Sequence, residues 1–276
     1  MLEDFALLEK STCHWNSYVL GSGTLEPTGS TLRLVNTDTT PRQITNAQID
    51  DYQRLPRRRF HWHPPLTMAV RARFSHPADQ LSGTAGFGFW NDPLMMTGRR
   101  WPTLPRAIWF FYASTPSDMK LDLHTPGHGW KAATIDAARW PSYLLALTAP
   151  IAVLLMNVRS LYRVLWPIGQ RAIGVSEASM HVDMTEWHTY VLEWRAGSVR
   201  FDVDGGTVLA CDTSPRGALG FVMWLDNQYL VVTPWGKLGY GWLEAPGRQW
   251  MEVDTLSIEP QGRDTRAGEQ ELRFPR

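Results

Sequence analysis

The sequence predicts an all-β sandwich of two antiparallel sheets with a helical insertion at about residues 140–172. Three observations indicate this fold. Short runs rich in β-branched and aromatic residues recur along the chain, Gly, Pro and Asx residues separate them, and one stretch changes to helical periodicity. A chain of 276 residues can bury a large core in one domain. We expect the sandwich to cover residues 1–259 and to be followed by a charged, loose tail over residues 260–276.

The predicted strands follow from alternating patterns and from the turn residues between them. They cover residues 30–36, 44–50, 66–74, 85–90, 106–113, 220–225 and 250–258. The clearest signal lies at residues 187–210, where Tyr190, Leu192 and Trp194 share one face of a strand. Asp204 and the two glycines after it predict a type I′-like hairpin turn, because these residues accept positive φ at low cost.

The insertion is marked by 19 residues without a charge, 140–158, and by apolar residues at helical spacing. These are Leu144, Leu147, Ile151, Leu154, Leu155, Val158, Leu161 and Leu165. Pro150 should kink or split this helix, and Pro167 should limit the next one. The pattern is compatible with a membrane-spanning helix, a helical insertion packed on the sandwich, or an interfacial helix or apolar lid. In the interfacial case Arg159, Arg163 and Arg171 would face anionic headgroups.

Composition narrows the classes of partner. The formal net charge is zero, whereas a protein that binds nucleic acid normally carries a basic excess, so we expect no nucleic-acid partner. The 14 Trp residues fit either a cleft that stacks on sugars or apolar ligands, or a bulky core between two sheets. We expect Cys13 and Cys211 to be reduced, with a single bridge as the alternative.

The first ten residues, MLEDFALLEK, show no basic region followed by an apolar one, so they predict no signal peptide. We therefore expect a cytoplasmic location. Residues 140–172 add the alternative of peripheral contact with a membrane surface.

Three stretches resemble the family 16 glycoside hydrolases, the laminarinases, lichenases and their relatives. WHTYVLEW from Trp187 and VRFDVDG from Val199 match the family passage "W-H-T-Y-x-x-E-W … I-R-F-x-V-D-G". MAVRARF from Met68 with GFGFW from Gly86 is similar to the strand pair before the catalytic strand, and VDTLSI from Val253 is similar to the closing strand. The resemblance implies a concanavalin A-like jelly roll, and it does not extend to the insertion.

The resemblance also implies where catalytic residues should stand. Retaining members of the family carry an E-x-D-x-(x)-E run on one strand, and the equivalent place here is the predicted strand at residues 106–113. Two carboxyl groups about 5 Å apart are needed for that chemistry. Residues 106–112 contain no carboxylate, and the nearest acids along the chain are Asp92 and Asp118. We therefore expect an aromatic cleft that does not perform retaining hydrolysis.

The predicted ligand-binding residues combine flat rings with a few polar groups, as small-molecule pockets commonly do. They are Trp90, Asn91, Trp109, Phe111, Tyr112, Trp130, Trp224, Asp226, Asn227 and Tyr229. Phe110 would point to the opposite face of its strand, or the two faces would be reversed. The alternative for the run from Trp224 to Tyr229 is a strand end in which Asp226 and Asn227 form an Asx turn.

Acid–base candidates are Asp226, His124 and His128, since the two imidazoles lie on a Gly/Pro loop and can move protons near neutral pH. A solvated loop would carry the same histidines without a catalytic role. His61 and His63 lack a recognisable third ligand, so we expect no metal and no cofactor.

Two functional hypotheses follow. The first is a binding protein whose aromatic cleft holds a sugar-containing or amphiphilic ligand. The second is an enzyme with replaced acid–base chemistry, cyclase- or isomerase-like, that acts on an apolar substrate under a lid at residues 143–168. Glycoside hydrolysis is the least favoured alternative.

Overall fold

The described part of the chain is built mainly from strands. A computed structural model describes residues 15–93, 101–261 and 270–273. Its strands are β1 (Asn16–Leu20), β2 (Gly23–Thr28), β3 (Thr31–Thr39), β4 (Asn46–Asp50), β5 (Leu66–Phe74), β6 (Thr84–Trp90), β7 (Arg106–Ala113), β8 (Asp118–Met119), β9 (Gly129–Asp136), β10 (Val175–Ser179), β11 (His188–Trp194), β12 (Val199–Val203), β13 (Gly206–Cys211), β14 (Gly220–Asp226), β15 (Gln228–Val232), β16 (Leu238–Trp242), β17 (Ala245–Pro260) and β18 (Gln270–Arg273). Its helices are α1 (Trp140–Leu155) and α2 (Arg159–Ala172).

Two large antiparallel sheets form a sandwich. The first sheet has the strand order β1-β4-β14-β6-β7-β9-β10. The second has the order β13-β12-β11-β5-β17-β3-β2, with β18 paired to β17. A small third sheet, β16-β15-β8, continues from the ends of β14 and β7. The predicted all-β sandwich is confirmed.

Alternation along the strands makes the core between the sheets. On β5, Leu66, Met68, Val70, Ala72 and Phe74 are buried, and the residues between them are half-buried. A strand that packs one apolar face on a core shows this alternation of buried and half-buried residues, with a period of two. The core contains a tight cluster of rings from both sheets, namely Phe87, Phe110, Trp130, Tyr190 and Phe201.

Most predicted strands are found within a few residues of their expected bounds. Those at 66–74 and 106–113 match β5 and β7, and residues 187–210 contain β11, β12 and most of β13. The turn between β12 and β13 has positive φ at Asp204 (49°) and at Gly205 (80°), as a type I′ turn requires. Its Asp204 carboxylate also accepts hydrogen bonds from the Thr189 N–H at 2.8 Å and lies 2.6 Å from His188 Nδ1.

The insertion is a helical hairpin in which Pro150 does not split α1 and Pro167 does not end α2. α1 continues through Pro150 to Leu155, and Pro167 lies inside α2 rather than beyond its end. Each helix accommodates its proline by giving up one N–H donor, and the chain reverses instead at residues 156–158. Within the described residues, neither helix has the length and apolar character that a membrane span requires.

Two smaller expectations concern the ends of the chain and its thiols. The tail is not loose throughout, because Gln270–Arg273 pair antiparallel with β17, where Arg273 lies opposite Thr255. Cys211 is a free, partly buried thiol, and Cys13 lies outside the described residues.

Replacing Phe110 with Ala should lower the free energy of unfolding by about 3–5 kcal/mol, because the ring is fully buried among Phe87, Tyr190 and Phe201. Urea denaturation followed by fluorescence measures this change. Val19→Ala on the exposed side of β1 is the control and should change stability by less than about 0.5 kcal/mol. A small effect of Phe110→Ala would show that the ring does not hold the two sheets together.

Candidate functional site

The outer face of the first sheet, opposite the sandwich core, carries a cluster of four aromatic rings. Trp109 and Phe111 stand on β7 with stacked rings, 5.3 Å between centroids and 21° between planes. Trp90 from β6 lies 5.7 Å from Trp109, and Trp224 from β14 lies 5.4 Å from Trp109 and 5.8 Å from Phe111. We call these four residues the ring cluster. It brings together four of the ten predicted ligand-binding residues.

Alternation on β7 explains why these rings face outward. Residues with odd numbers on this strand pack in the outer cluster, whereas Ile108, Phe110 and Tyr112 pack in the sandwich core. Glycines on the neighbouring strand leave room for the outer rings. Gly86 pairs with Phe111 and Gly88 pairs with Trp109. A Cβ at Gly88 would lie 2.6 Å from Trp109 Cβ, so a larger residue there would displace the ring.

The ring cluster is closed except at Trp109. Trp90, Phe111 and Trp224 are each less than a tenth exposed, and Trp109 is half-buried. The indole of Trp90 donates to the Tyr52 hydroxyl at 2.7 Å. The indole of Trp224 donates to Thr84 Oγ1 at 2.9 Å, and that hydroxyl donates to Asp226 Oδ1 at 2.9 Å. Hydrogen bonds therefore fix two of the rings, and Trp109 is the ring that a ligand can reach.

Two predicted ligand-binding residues do not lie on this face. Tyr112 and Trp130 are buried in the sandwich core, and the Tyr112 hydroxyl donates to the Leu81 carbonyl oxygen at 2.8 Å. Tyr112 follows Phe111 by one residue, so strand alternation sends it to the opposite side. Trp130 is paired with Tyr112 in the register of β7 and β9, and it takes the same side for the same reason.

The predicted amides hold backbone rather than face a cleft. Asn91 Nδ2 donates to the Leu104 carbonyl oxygen at 3.0 Å, and its Oδ1 accepts from the Arg106 N–H at 3.0 Å. Asn227 Oδ1 accepts from the Thr45 N–H at 2.8 Å, and its Nδ2 reaches three further carbonyl oxygens. Tyr229 is half-buried on β15 in the third sheet, where its ring lies against Gly241.

Asp226 is completely buried at the end of β14. Its carboxylate accepts from the N–H and hydroxyl of Thr84 and from the N–H and side-chain amide of Gln228, at 2.8–3.2 Å. Burial raises the pKa of Asp226, and these hydrogen bonds oppose the shift. The bond from Gln228 N–H is the Asx-type contact that was the structural alternative for this residue.

The candidate histidines lie elsewhere. His124 is exposed and lines a cavity of about 440 Å³ between α2, β10 and the loop before β9, together with Asp122, Gln170 and Arg171. The lining contains none of the four rings. His128 is exposed and precedes Gly129. Gly129 lies three inter-strand steps from Asp226 along the sheet register, a distance of about 14 Å. Among the described residues no group of three His, Cys, Asp or Glu side chains is placed to hold a metal ion.

A buried ion pair borders the ring cluster, and the sequence analysis did not anticipate it. Lys131 on β9 pairs with Phe111 in the register, and its Nζ lies 3.3 Å from Glu177 Oε2 on β10. Both side chains are at most 5% exposed. Burial raises the pKa of Glu177, and the Lys131 charge opposes that shift. Alternation on β9 was the available signal, since it places Lys131 on the same face as Ala133 and next to Phe111.

Three acidic residues, Asp50, Asp51 and Asp92, lie near Tyr52, which follows the end of β4 in the first sheet. Asp50 accepts hydrogen bonds from the side chains of Gln48 (2.8 Å) and Gln53 (2.7 Å). Asp51 accepts from the Phe221 N–H at 2.9 Å and from the indole of Trp62. Burial raises the pKa of the Tyr52 hydroxyl, and the charges of Asp50, Asp92 and Asp51 raise it further, so all three acids lie near that ring.

Comparison with known proteins identifies the fold. No protein-family model matches the sequence, and no curated protein matches it. A glycoside hydrolase family 16 endo-glucanase from Bacteroides ovatus superimposes with a TM-score of 0.50 and 10% identity over 88% of this chain and 94% of the other. The fold is concanavalin A-like.

Two further structures that match the concanavalin A-like sandwich have lower TM-scores. A fungal endo-β-1,4-glucuronan lyase from Trichoderma reesei matches with a TM-score of 0.47 and 13% identity, over 91% of this chain and 93% of the other. A prokaryotic β-1,3-1,4-glucanase (lichenase) from a mouse hindgut metagenome matches with a TM-score of 0.46 and 12% identity, over 90% and 93%. The resemblance to glucanase sandwiches noted in the sequence is confirmed at the level of the fold.

Asp51 should make the stability of this concanavalin A-like sandwich depend on pH. Burial raises the pKa of its carboxyl to about 8, whereas the unfolded chain releases that proton near the ordinary value of 3.8. Between these values the folded state binds the extra proton, so stability should fall as pH rises, by roughly 1 kcal/mol per pH unit. Urea midpoints from pH 5 to pH 8 measure this slope.

Asp51→Asn should reduce that slope, because the amide does not titrate. Asp212→Asn, at an exposed position, is the matched control and should leave it unchanged. Equal slopes in the native chain and in Asp51→Asn would contradict the assignment of this pH dependence to Asp51.

Proposed function

We propose that this chain binds a sugar-containing or amphiphilic ligand at Trp109 without hydrolysing it. The observation that carries the proposal is the ring cluster on the central strands of the first sheet, where Trp109 is the accessible member of a packed aromatic platform. A flat indole backed by other rings is rigid, so it offers stacking area to the C–H face of a sugar or to an alkyl chain at a low cost in side-chain entropy.

The distribution of acids supports binding over hydrolysis. Strands β6 and β7 carry no carboxylate. Asp50 and Glu177 occupy the same register row on the outer face, but five inter-strand steps separate them, a distance of roughly 24 Å. Retaining hydrolysis needs two carboxyl groups about 5 Å apart and inverting hydrolysis needs roughly 6.5–9.5 Å.

The immediate partners of these acids also support the proposal. Asp50 is held by two glutamine side chains, Glu177 by Lys131, and Asp226 by Thr84 and Gln228. Asp50 and its neighbour Asp51 lie at the end of β4 with different partners, and Asp51 contacts the core residues Trp62 and Phe221. Each of these carboxylates therefore serves the sandwich itself.

The enzyme hypothesis has less support. It requires an acid–base pair in one place, whereas Asp226 is enclosed by hydrogen bonds and both histidines lie away from it, His124 beside the separate cavity. Nothing in the geometry of the described residues favours a reaction over binding.

Trp109→Ala should weaken ligand binding about 10- to 100-fold, because it removes the accessible ring and its buried contact area. Titration calorimetry with laminarihexaose and with octyl β-glucoside as probes separates sugar recognition from alkyl recognition. Trp250→Ala is the matched control, since this indole lies on the second sheet under Arg33 and Arg73 and should not affect affinity.

Activity assays with two polysaccharides test the absence of hydrolysis. Incubation of the native chain with laminarin and with lichenan should release no reducing ends. Release that is abolished by Asp50→Asn or Glu177→Gln would refute the non-hydrolytic part of the proposal. Equal affinities of Trp109→Ala and the native chain for both probes would refute the binding part.

A further inference from the structure

The helical hairpin and the adjacent edge of the third sheet form one continuous apolar surface. Thirteen of the fifteen large apolar side chains that are exposed in the described residues lie there. They are Trp140, Tyr143, Leu144, Leu147, Ile151, Leu154, Leu155, Val158, Leu161, Val164, Ile168, Leu238 and Tyr240. We call this set the apolar patch. A contiguous exposed patch of this kind marks a surface that binds a membrane or another protein.

The helical hairpin leaves apolar side chains uncovered on the side away from the protein. On α1 the five consecutive residues 147–151 are all exposed, which is more than one full turn, so apolar side chains face solvent around most of the helix. On α2, Leu161, Val164 and Ile168 are exposed at spacings of three and four. The side of the hairpin that meets the protein holds Met156 and Trp166, which are buried. A helix that is apolar on all sides is normally buried, whereas α1 leaves most of its surface uncovered.

Specific contacts fix the hairpin in that orientation. The Trp166 indole donates to the Leu121 carbonyl oxygen at 3.0 Å, and Asn157 Nδ2 donates to the Trp235 carbonyl oxygen at 3.2 Å. The Tyr162 and Trp235 rings meet edge to face at 5.2 Å. Trp235 lies just before β16, so the same contacts join the hairpin to exposed Leu238 and Tyr240.

The charged side chains within the helical hairpin and the β15–β16 hairpin are all basic. Residues 137–176 and 227–243 contain five charged side chains, all basic: Arg139, Arg159, Arg163, Arg171 and Lys237. Burial raises the pKa of the Tyr162 hydroxyl on α2, and Asp122 and Asp118 lie close enough to raise it further. Asp122 also accepts a hydrogen bond from Gln170, so acids are present on the side of α2 that faces the protein. Basic residues beside an apolar surface attract anionic lipid headgroups.

We infer that the apolar patch inserts into the interface of an anionic lipid bilayer, so that the chain is a peripheral membrane protein. α1 and α2 are about 24 Å and about 21 Å long, shorter than the hydrocarbon core of roughly 30 Å, and this fits helices that lie in the interface. Trp140, Tyr143 and Tyr240 supply the aromatic residues that favour this depth. A second copy docked through the same face would bring the two sets of basic residues together, which disfavours a dimer.

Vesicle sedimentation of the full chain tests the inference. The chain should sediment with vesicles of phosphatidylcholine mixed with phosphatidylglycerol, less with pure phosphatidylcholine, and less as salt is added. Leu147→Glu, Ile151→Glu and Leu154→Glu together should abolish sedimentation with both. These side chains are 81%, 67% and 72% exposed, so the fold should tolerate the change, and near-ultraviolet circular dichroism checks it. Val19→Glu, at an exposed apolar position on β1, is the matched control and should sediment normally.

Arginine variants test the electrostatic part. Arg159→Gln with Arg163→Gln should weaken binding to the mixed vesicles roughly fivefold for each arginine and leave binding to phosphatidylcholine unchanged. Arg195→Gln with Arg200→Gln, on the second sheet, is the control pair and should have no effect.

Several results would overturn the inference. The native chain could fail to sediment with either kind of vesicle, or the triple glutamate variant could sediment as the native chain does. A native dimer in analytical ultracentrifugation that becomes monomeric in the triple variant, without vesicle binding, would assign the apolar patch to a second copy. Trp109→Ala should sediment normally, so failure of ligand binding at Trp109 and failure of membrane binding are distinguishable.

Discussion

The alternation of side chains along β7, together with the pairing of β7, β6 and β14 in the first sheet, determines which aromatic rings lie in the core and which lie on the outer face. One strand sends Phe110 and Tyr112 into the core that joins the sheets, and Trp109 and Phe111 to the outer face. A shift of one residue would exchange these sets and place the ring cluster inside. Gly86 and Gly88 fix the register further, because only a residue without a side chain fits beside the outer rings. Core stability and the ring cluster therefore depend on the same pairing.

The fold could be predicted because its signals are local. The strands at β5 and β7 follow from alternation, and the β12–β13 turn follows from Asp204 and its glycines. Short edge strands such as β1, β10 and β16 lack a strong pattern, and their formation depends on pairing with distant segments. Pro150 and Pro167 lie inside their helices because a helix packed on a protein can tolerate the loss of one hydrogen bond.

The candidate site was only partly predictable, for a related reason. The sequence shows that β6, β7 and β14 are rich in aromatic residues. It does not show which residues of a strand point outward, because alternation gives two sets of side chains and does not say which set faces the core. Tyr112 and Trp130 were predicted to line the cleft, but both lie on the sides of β7 and β9 that face the core. The buried pair of Lys131 and Glu177 depends on the pairing of β9 with β10, and β10 carried no signal of its own.

Charge is distributed differently beside the ring cluster and beside the apolar patch. Beside the ring cluster, Lys131 is paired with Glu177 within the protein, so the ligand contact that we propose there depends on the rings and not on a net charge. At the apolar patch, the segments that hold Arg159, Arg163 and Lys237 contain no carboxylate of their own. Basic residues on the same hairpin as exposed Leu147 and Ile151 favour a surface that is both anionic and apolar, and this combination is the basis of the proposed contact with a lipid bilayer.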